Sequence, residues 1–147
     1  MVHIGIDPGL KGSICVMDDS GVGFYKIEEL KLVLTEYATH FYKVAIEMQN
    51  LRPNQAGMGK MMKNYGILLG LMQAFNSDYK EIQSKAWYKH FGIKANLSSD
   101  DRKRVTSSLM ADRYPQIRSQ LYGPRGGLLD GKSDALAIAT YLKETLS

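Results

Sequence analysis

The sequence predicts an α/β protein in which a mixed five-stranded sheet is flanked by helices. Three observations predict it. Short apolar, β-prone runs are punctuated by turn residues, apolar positions at helical spacing separate the later runs, and the order begins with three strands before helices and strands alternate. Residues 2–7 alternate and break at Pro8 and Gly9, and residues 12–17 stay apolar up to Asp18, Asp19, Ser20 and Gly21, which makes the pair a hairpin. Residues 23–27 read as a third short strand. Leu30, Val33, Leu34, Tyr37 and Phe41 then predict a helix over 28–41. Residues 43–48 form the next strand. After a loop with Arg52, Pro53 and Asn54 comes a long helix rich in Met and Leu, over about 56–75. Residues 79–83 make the fifth strand and 84–90 a short helix. Ser98 or Ser99 caps a helix over 98–114 that Pro115 stops. Pro124, Arg125, Gly126 and Gly127 mark a mobile loop before a final helix from about 130 to 145.

A chain of 147 residues is one domain by ordinary size, with room for one core and not for two lobes around a cleft. Hydrophobic residues at 44% and charged residues at 23% exclude a disordered tail, a collagen and a coiled coil. No apolar run approaches the ~18 residues of a membrane span, and Met1, Val2 and His3 open no signal pattern. A soluble intracellular protein of the cytoplasm or nucleoid is expected. Cys15 is the sole cysteine, which excludes an internal disulfide and a cysteine zinc cluster.

The net charge of +4 hides an asymmetry. Residues 1–51 carry four Lys/Arg against seven Asp/Glu, and residues 52–147 carry 15 against eight. A positive field over most of one domain attracts polyanions, nucleic acid above all, although a solvated basic surface has the same composition.

The chemistry starts with acids at strand ends. Asp7 closes an apolar strand just before a turn, and Glu47 closes Val44, Ala45 and Ile46 in the same way. Buried strands reject unpaired charge, so two such acids suggest a cation between them; the simpler reading is that each receives turn or helix-terminus N–H groups. Asp130 and Asp134 are four apart and repel on one helix face unless a cation joins them, or serve only as an N-cap and a first-turn acid. Four convergent carboxylates would be an oxygen-only site suited to Mg²⁺ or Mn²⁺.

The run from Gly126 to Ser133 also satisfies the P-loop spacing G-x-x-x-x-G-K-[ST]. Context rejects it. No buried strand precedes the run, only 14 residues follow Ser133, and Asp130 inside the cradle would repel phosphate.

Ile4, Gly5, Ile6, Asp7, Pro8 and Gly9 with Gly12 and Ser13, then Ala45, Ile46 and Glu47, then Asp134 followed by Ala135, Leu136, Ala137, Ile138 and Ala139, together resemble the RuvC-type Holliday junction resolvases of the RNase H-like superfamily. The likeness spans nearly the whole chain. It is strongest to the short phage-type branch, through Pro53, Gln55, Gly66 and the Trp87, Tyr88, Lys89 segment. The resemblance implies one RNase H-like nuclease domain over 1–147, with Asp7, Glu47, Asp130 and Asp134 as catalytic, metal-binding acids. Gly131 stands where the long bacterial type has its third acid, so Asp130 takes that role by proximity alone. Also implied are two Mg²⁺ ions per site, replaceable by Mn²⁺, and hydrolysis of phosphodiesters. The partner would be a four-way DNA junction nicked symmetrically by a homodimer.

On that reading DNA contacts fall to Arg52, Lys60, Lys63, Lys85, Lys89, Arg125 and Lys132. Trp87 and Tyr88 could stack on bases, while Trp87 and Phe91 are equally spaced for helix core. His3 and His40 read as structural and His90 as a candidate DNA contact. Met58, Met61, Met62, Leu68, Leu69 and Met72 are either core alone or core and dimer interface. Two other function classes stay open: an RNA–DNA hybrid hydrolase of the same superfamily, and a non-catalytic nucleic-acid or ATP-binding module that reuses the Asp-Pro-Gly turn.

Overall fold

Strand parity decides which residues meet. In the computed structural model, which describes residues 1–50, 52–129 and 131–146, β1 (Val2–Asp7), β2 (Ser13–Asp18) and β3 (Gly21–Tyr25) form an antiparallel meander. β4 (Tyr42–Glu47) lies parallel to β1 and β5 (Asp78–Ile82) parallel to β4, giving the sheet order β3-β2-β1-β4-β5. The mixed five-stranded sheet expected from the sequence is therefore present.

Successive side chains alternate between the faces of a strand. Val2, Ile4, Ile6, Ile14, Val16, Val44 and Ile46 point to one face and are buried there against α1 (Leu30–Glu36) and α2 (Met58–Ala74), through Leu30, Val33, Leu34, Leu68 and Met72. Cys15, Met17 and Ala45 point to the other face. There they meet α3 (Ser84–Phe91), α4 (Ser99–Arg113), the short α5 (Arg118–Leu121) and α6 (Lys132–Tyr141). Asp7 and Glu47 share the parity of this second face.

The bed for α6 is made of small residues. Gly5 pairs with Cys15 on one side and Ala45 on the other, and α6 crosses this row with Ala135 and Ala139, one helical turn apart. A Cβ at Gly5 would lie 2.3 Å from the Ala135 carbonyl oxygen and 2.4 Å from the Ala139 amide nitrogen, so only glycine permits the approach.

Several boundaries differ from the sequence reading. The helix expected over 28–41 is a 3₁₀ turn, Ile27–Glu29, followed by α1. Phe41 is 88% exposed and lies outside the helix, which ends at Glu36 in turns closed by the Ala38 and His40 N–H groups; the Phe41 carbonyl accepts the Val2 N–H at 3.0 Å as the chain enters β4. The final helix begins at Lys132, since Gly131 has φ 78°, and it ends in a π turn, Leu142–Leu146. Ser98 is the cap of α4 and accepts the Asp101 N–H at 3.1 Å. Of the methionine stripe, Met72 and Leu68 are core, while Met62 is 52% exposed. Among the described residues no helix is long and apolar enough to cross a membrane.

Candidate active site

The carboxyl ends of parallel strands are where an open α/β sheet holds its ligands, because the crossover connections diverge there. β1 and β4 both end in an acid at this edge. Their register continues Ile6 against Ile46, which sets Asp7 beside Glu47 on the face covered by α6.

Asp134 reaches the same place from α6. Its approach depends on Gly131, whose left-handed backbone begins the helix and whose missing side chain leaves room for the β1–β2 turn: a Cβ there would lie 2.3 Å from the Lys11 carbonyl oxygen and 2.8 Å from the Gly12 Cα. Two distant loops, 8–12 and the start of α6, are thereby locked together around the ends of Asp7 and Asp134.

The acids have local roles as well. Asp7 Oδ1 accepts the Gly9 N–H at 3.1 Å, which stabilises the turn after β1. Glu47 Oε2 accepts the indole N–H of Trp87 at 2.8 Å, and Trp87 is fully buried. Burial pushes the Glu47 carboxyl up to about 7; the Trp87 hydrogen bond opposes the rise, and the charges of Asp7 and Asp134 add to it while Arg102 lowers it. Asp7, Glu47 and Asp134 are thus near enough to feel one another electrostatically.

Tyr88 faces the same cluster. Burial, then Glu47 and Asp134, push its phenol up to about 12, with Arg102 opposing. The Arg102 guanidinium lies 5.5 Å from the centre of the Tyr88 ring, and its Nη1 donates to the Ala95 carbonyl at 3.4 Å. Sequence reasoning did not single out Arg102, and it offered Tyr88 as a base-stacking residue and not as a neighbour of the acids. No periodicity marks either one, because it is the packing of α3 and α4 on α6 that brings them to the acids.

The remaining candidates are distributed as follows. Asp130 lies outside the described residues. Arg52 comes five residues after the carboxyl end of β4, which carries Glu47, and Lys85 three after that of β5, and both are exposed. Lys60 and Lys63 are exposed on α2, Lys89 is exposed on α3, and Arg125 is exposed in the loop 123–129. Lys132 is drawn elsewhere: its Nζ sits 5.6 Å from the centre of the Phe24 ring on β3, with β2 between that strand and β1. His90 is engaged in packing, with Nε2 2.6 Å from Glu144 Oε2 and its ring edge-on to Phe91 and Tyr141. His3 is buried, and His40 packs edge-on to Tyr37. Trp87 is core and a hydrogen-bond donor together. The P-loop spacing lacks its strand among the described residues: Ser133 is buried and bonded to Ser107 at 2.7 Å, and an isolated bridge, Tyr122 to Leu128, stands where a buried strand would be needed.

The donor set is hard carboxylate oxygen, which fits Mg²⁺ or Mn²⁺ in kind, and burial first, then the charges of Asp7 and Asp134, raise Glu47 there. Among the described residues no three acids close into a ready-made metal cage.

One consequence is measurable without substrate. Glu47 takes up its proton more readily in the folded chain than at the ordinary 4.5, so its contribution to stability is full below that pH and is lost as pH rises through about 7. Glu47→Gln keeps an acceptor for Trp87 and removes the charge. In EDTA at pH 8 the variant is expected to melt above the parent by roughly 5 °C, and at pH 4.5 the two should coincide, as differential scanning fluorimetry can check. Equal melting at both pH values would mean that Glu47 is solvated.

No family model and no curated protein matches the sequence. Solved structures do. The Thermus thermophilus RuvC structure superposes with a TM-score of 0.59 at 17% identity, over 98% of this chain and 96% of that one. T. thermophilus RuvC in complex with Holliday junction substrate gives 0.57 at 16%, over 99% and 96%. At such identity the likeness speaks for architecture and the site for chemistry. From end to end, this chain has the RNase H-like fold of RuvC.

Proposed function

We propose that this chain is a metal-dependent, structure-selective endonuclease that resolves four-way DNA junctions as a homodimer. The observation that carries the reading is the meeting of Asp7, Glu47 and Asp134 at one sheet edge, with a glutamate held against its own charge by burial and by its neighbours. A fold shared end to end with a protein solved on Holliday junction DNA supports the substrate class.

Asp7, Glu47 and Asp134, with Asp130, would hold Mg²⁺. When bound, the metal supplies Lewis-acid charge that activates water and stabilises the departing 3′ oxygen. The chain's own residues prepare that edge. Trp87 fixes one oxygen of Glu47 and leaves the other for the site, the Gly9 N–H fixes one oxygen of Asp7, and Arg102 offsets part of the negative charge. Arg52, Lys85 and Lys89 supply positive charge around the same edge, and Lys60 and Lys63 extend it along α2. The exposed apolar residues Met62 and Ile67 on α2, each 52% exposed, suit a helix that pairs with its copy.

The test offers the purified protein a labelled four-way junction, plain duplex, single strand and RNA–DNA hybrid, each with Mg²⁺ or EDTA. Paired nicks on opposing arms of the junction, in Mg²⁺ alone, are expected, together with sedimentation near twice the 16.5 kDa chain mass. Preferential hydrolysis of the hybrid, or paired nicking by a strict monomer, would overturn the reading.

A further inference from the structure

Glu47 is held by a side chain from outside the acid cluster. β5 pairs with β4 in a register that sets Ile82 opposite Glu47, and α3 begins two residues later, at Ser84. Trp87 and Phe91 lie one helical turn apart and turn inward, while Lys85 and Lys89 are exposed. The helix therefore lays an indole beside the end of β4, where the Trp87 N–H donates to Glu47 Oε2 at 2.8 Å.

Packing alone does not account for this residue. Trp87 is fully buried and is the only tryptophan in the chain. Phenylalanine or leucine would fill apolar space with no polar atom to satisfy, whereas a buried indole needs an acceptor. Here the acceptor is a carboxylate at the acidic edge. A hydrogen bond to an ionised oxygen is strong and directional, so it limits how that carboxylate can turn.

The indole is itself braced. The Tyr88 ring meets it edge-on, with centroids 4.2 Å apart and planes at 62°. The Arg102 guanidinium lies 5.5 Å from the centre of the Tyr88 ring, and its Nη1 donates to the Ala95 carbonyl. Contacts thus run from α4 through Arg102, Tyr88 and Trp87 to Glu47. We propose that Trp87 is a positioning residue for the acidic edge: braced by Tyr88 and Arg102, its N–H sets Glu47 for a divalent cation before any DNA arrives. The inference rests on the nuclease reading above and adds to it the residue that prepares the site in advance.

The experiment changes one group. Because Trp87 is the sole tryptophan, a tryptophan-auxotrophic host can replace it with β-(3-benzothienyl)alanine, which keeps the shape of the ring system and puts sulfur in place of the N–H. 5-Fluorotryptophan, incorporated in the same way, keeps the N–H and is the control. Mn²⁺ is titrated into each DNA-free protein, and the free ion is followed by electron paramagnetic resonance. The fluorotryptophan protein should bind Mn²⁺ as the parent does. The benzothienyl protein should bind it about 10–100-fold more weakly with an unchanged circular dichroism spectrum, the usual loss when the partner of a metal ligand is removed. Trp87→Phe, which also lacks the donor, should show the same loss and carries the comparison if the analogue protein does not fold. Mg²⁺, which is not paramagnetic, should change the parent's tryptophan emission, and Glu47→Gln should abolish that change.

If the benzothienyl protein or a folded Trp87→Phe binds Mn²⁺ as tightly as the parent, Trp87 is core packing alone and the nuclease reading stands. A parent that takes up no Mn²⁺ without DNA, yet nicks junctions in Mg²⁺, also overturns the inference, because a Glu47 set in advance should hold the ion unaided. A parent that neither takes up Mn²⁺ nor nicks junctions overturns the nuclease reading, and this inference falls with it.

Discussion

Asp7→Asn is expected to fold normally, to bind junction DNA at least as tightly as the parent, and to lose cleavage by about a thousandfold or more. The substitution is chosen because Asp7 does two things. Its Oδ1 accepts the Gly9 N–H, and its charge is one of those that raise Glu47. Asparagine keeps a carbonyl oxygen for the first task and drops the charge, so turn geometry is held constant. Partners that merely support a metal ligand cost about 10–100-fold when removed, and a direct ligand costs more. Losing a negative charge at the place where a phosphate docks should tighten binding. Gel-shift titration in EDTA and single-turnover cleavage in Mg²⁺ separate the two effects. Loss of binding together with cleavage in a well-folded variant would make Asp7 a structural turn residue and remove it from the chemistry.

The pairing of Asp7 with Glu47 was legible in the sequence because strand ends and period-2 alternation are local signals. Knowing that the two strands run parallel and adjacent turns those signals into a shared face. The third acid was legible for a different reason: the small apolar run from Ala135 to Ala139 declares a helix that must lie close to a sheet, and Asp134 heads it. What stayed hidden depends on packing between distant segments. Arg102 looks like any cation on a solvated helix until its guanidinium is seen over the Tyr88 ring of α3, and the docking of Gly131 on Gly12 joins loops 119 residues apart. The helix Arg118–Leu121 is a single turn and too short for any period to register. The overlong helix expected over 28–41 has the opposite cause. Phe41 keeps the helical spacing by coincidence: the helix ends at Glu36, turns follow through Ala38 and His40, and the Phe41 carbonyl already pairs with Val2 of β1.

Gly5→Ala is expected to destabilise the fold by about 3 kcal/mol, which in a chain of this size lowers the Tm by roughly 6–12 °C. The added Cβ would meet the Ala135 carbonyl oxygen at 2.3 Å and the Ala139 amide nitrogen at 2.4 Å. Both are backbone atoms of α6, so no rotamer change relieves the clash, and the helix has to lift off the row formed by Cys15, Gly5 and Ala45. Lifting it opens the core on that face and carries Asp134 away from Asp7 and Glu47, so the surviving folded protein should also cut more slowly. The same substitution at Gly70 is the matched control. Nothing lies within 4 Å of the added Cβ there, inside α2, and alanine is the better helix former by about 0.5–1 kcal/mol. One methyl group should thus lower the Tm at Gly5 and raise it at Gly70. A Gly5→Ala protein that melts within a degree of the parent, with unchanged cleavage, would show that α6 does not rest on β1 and that Asp134 reaches the acid cluster by some other route.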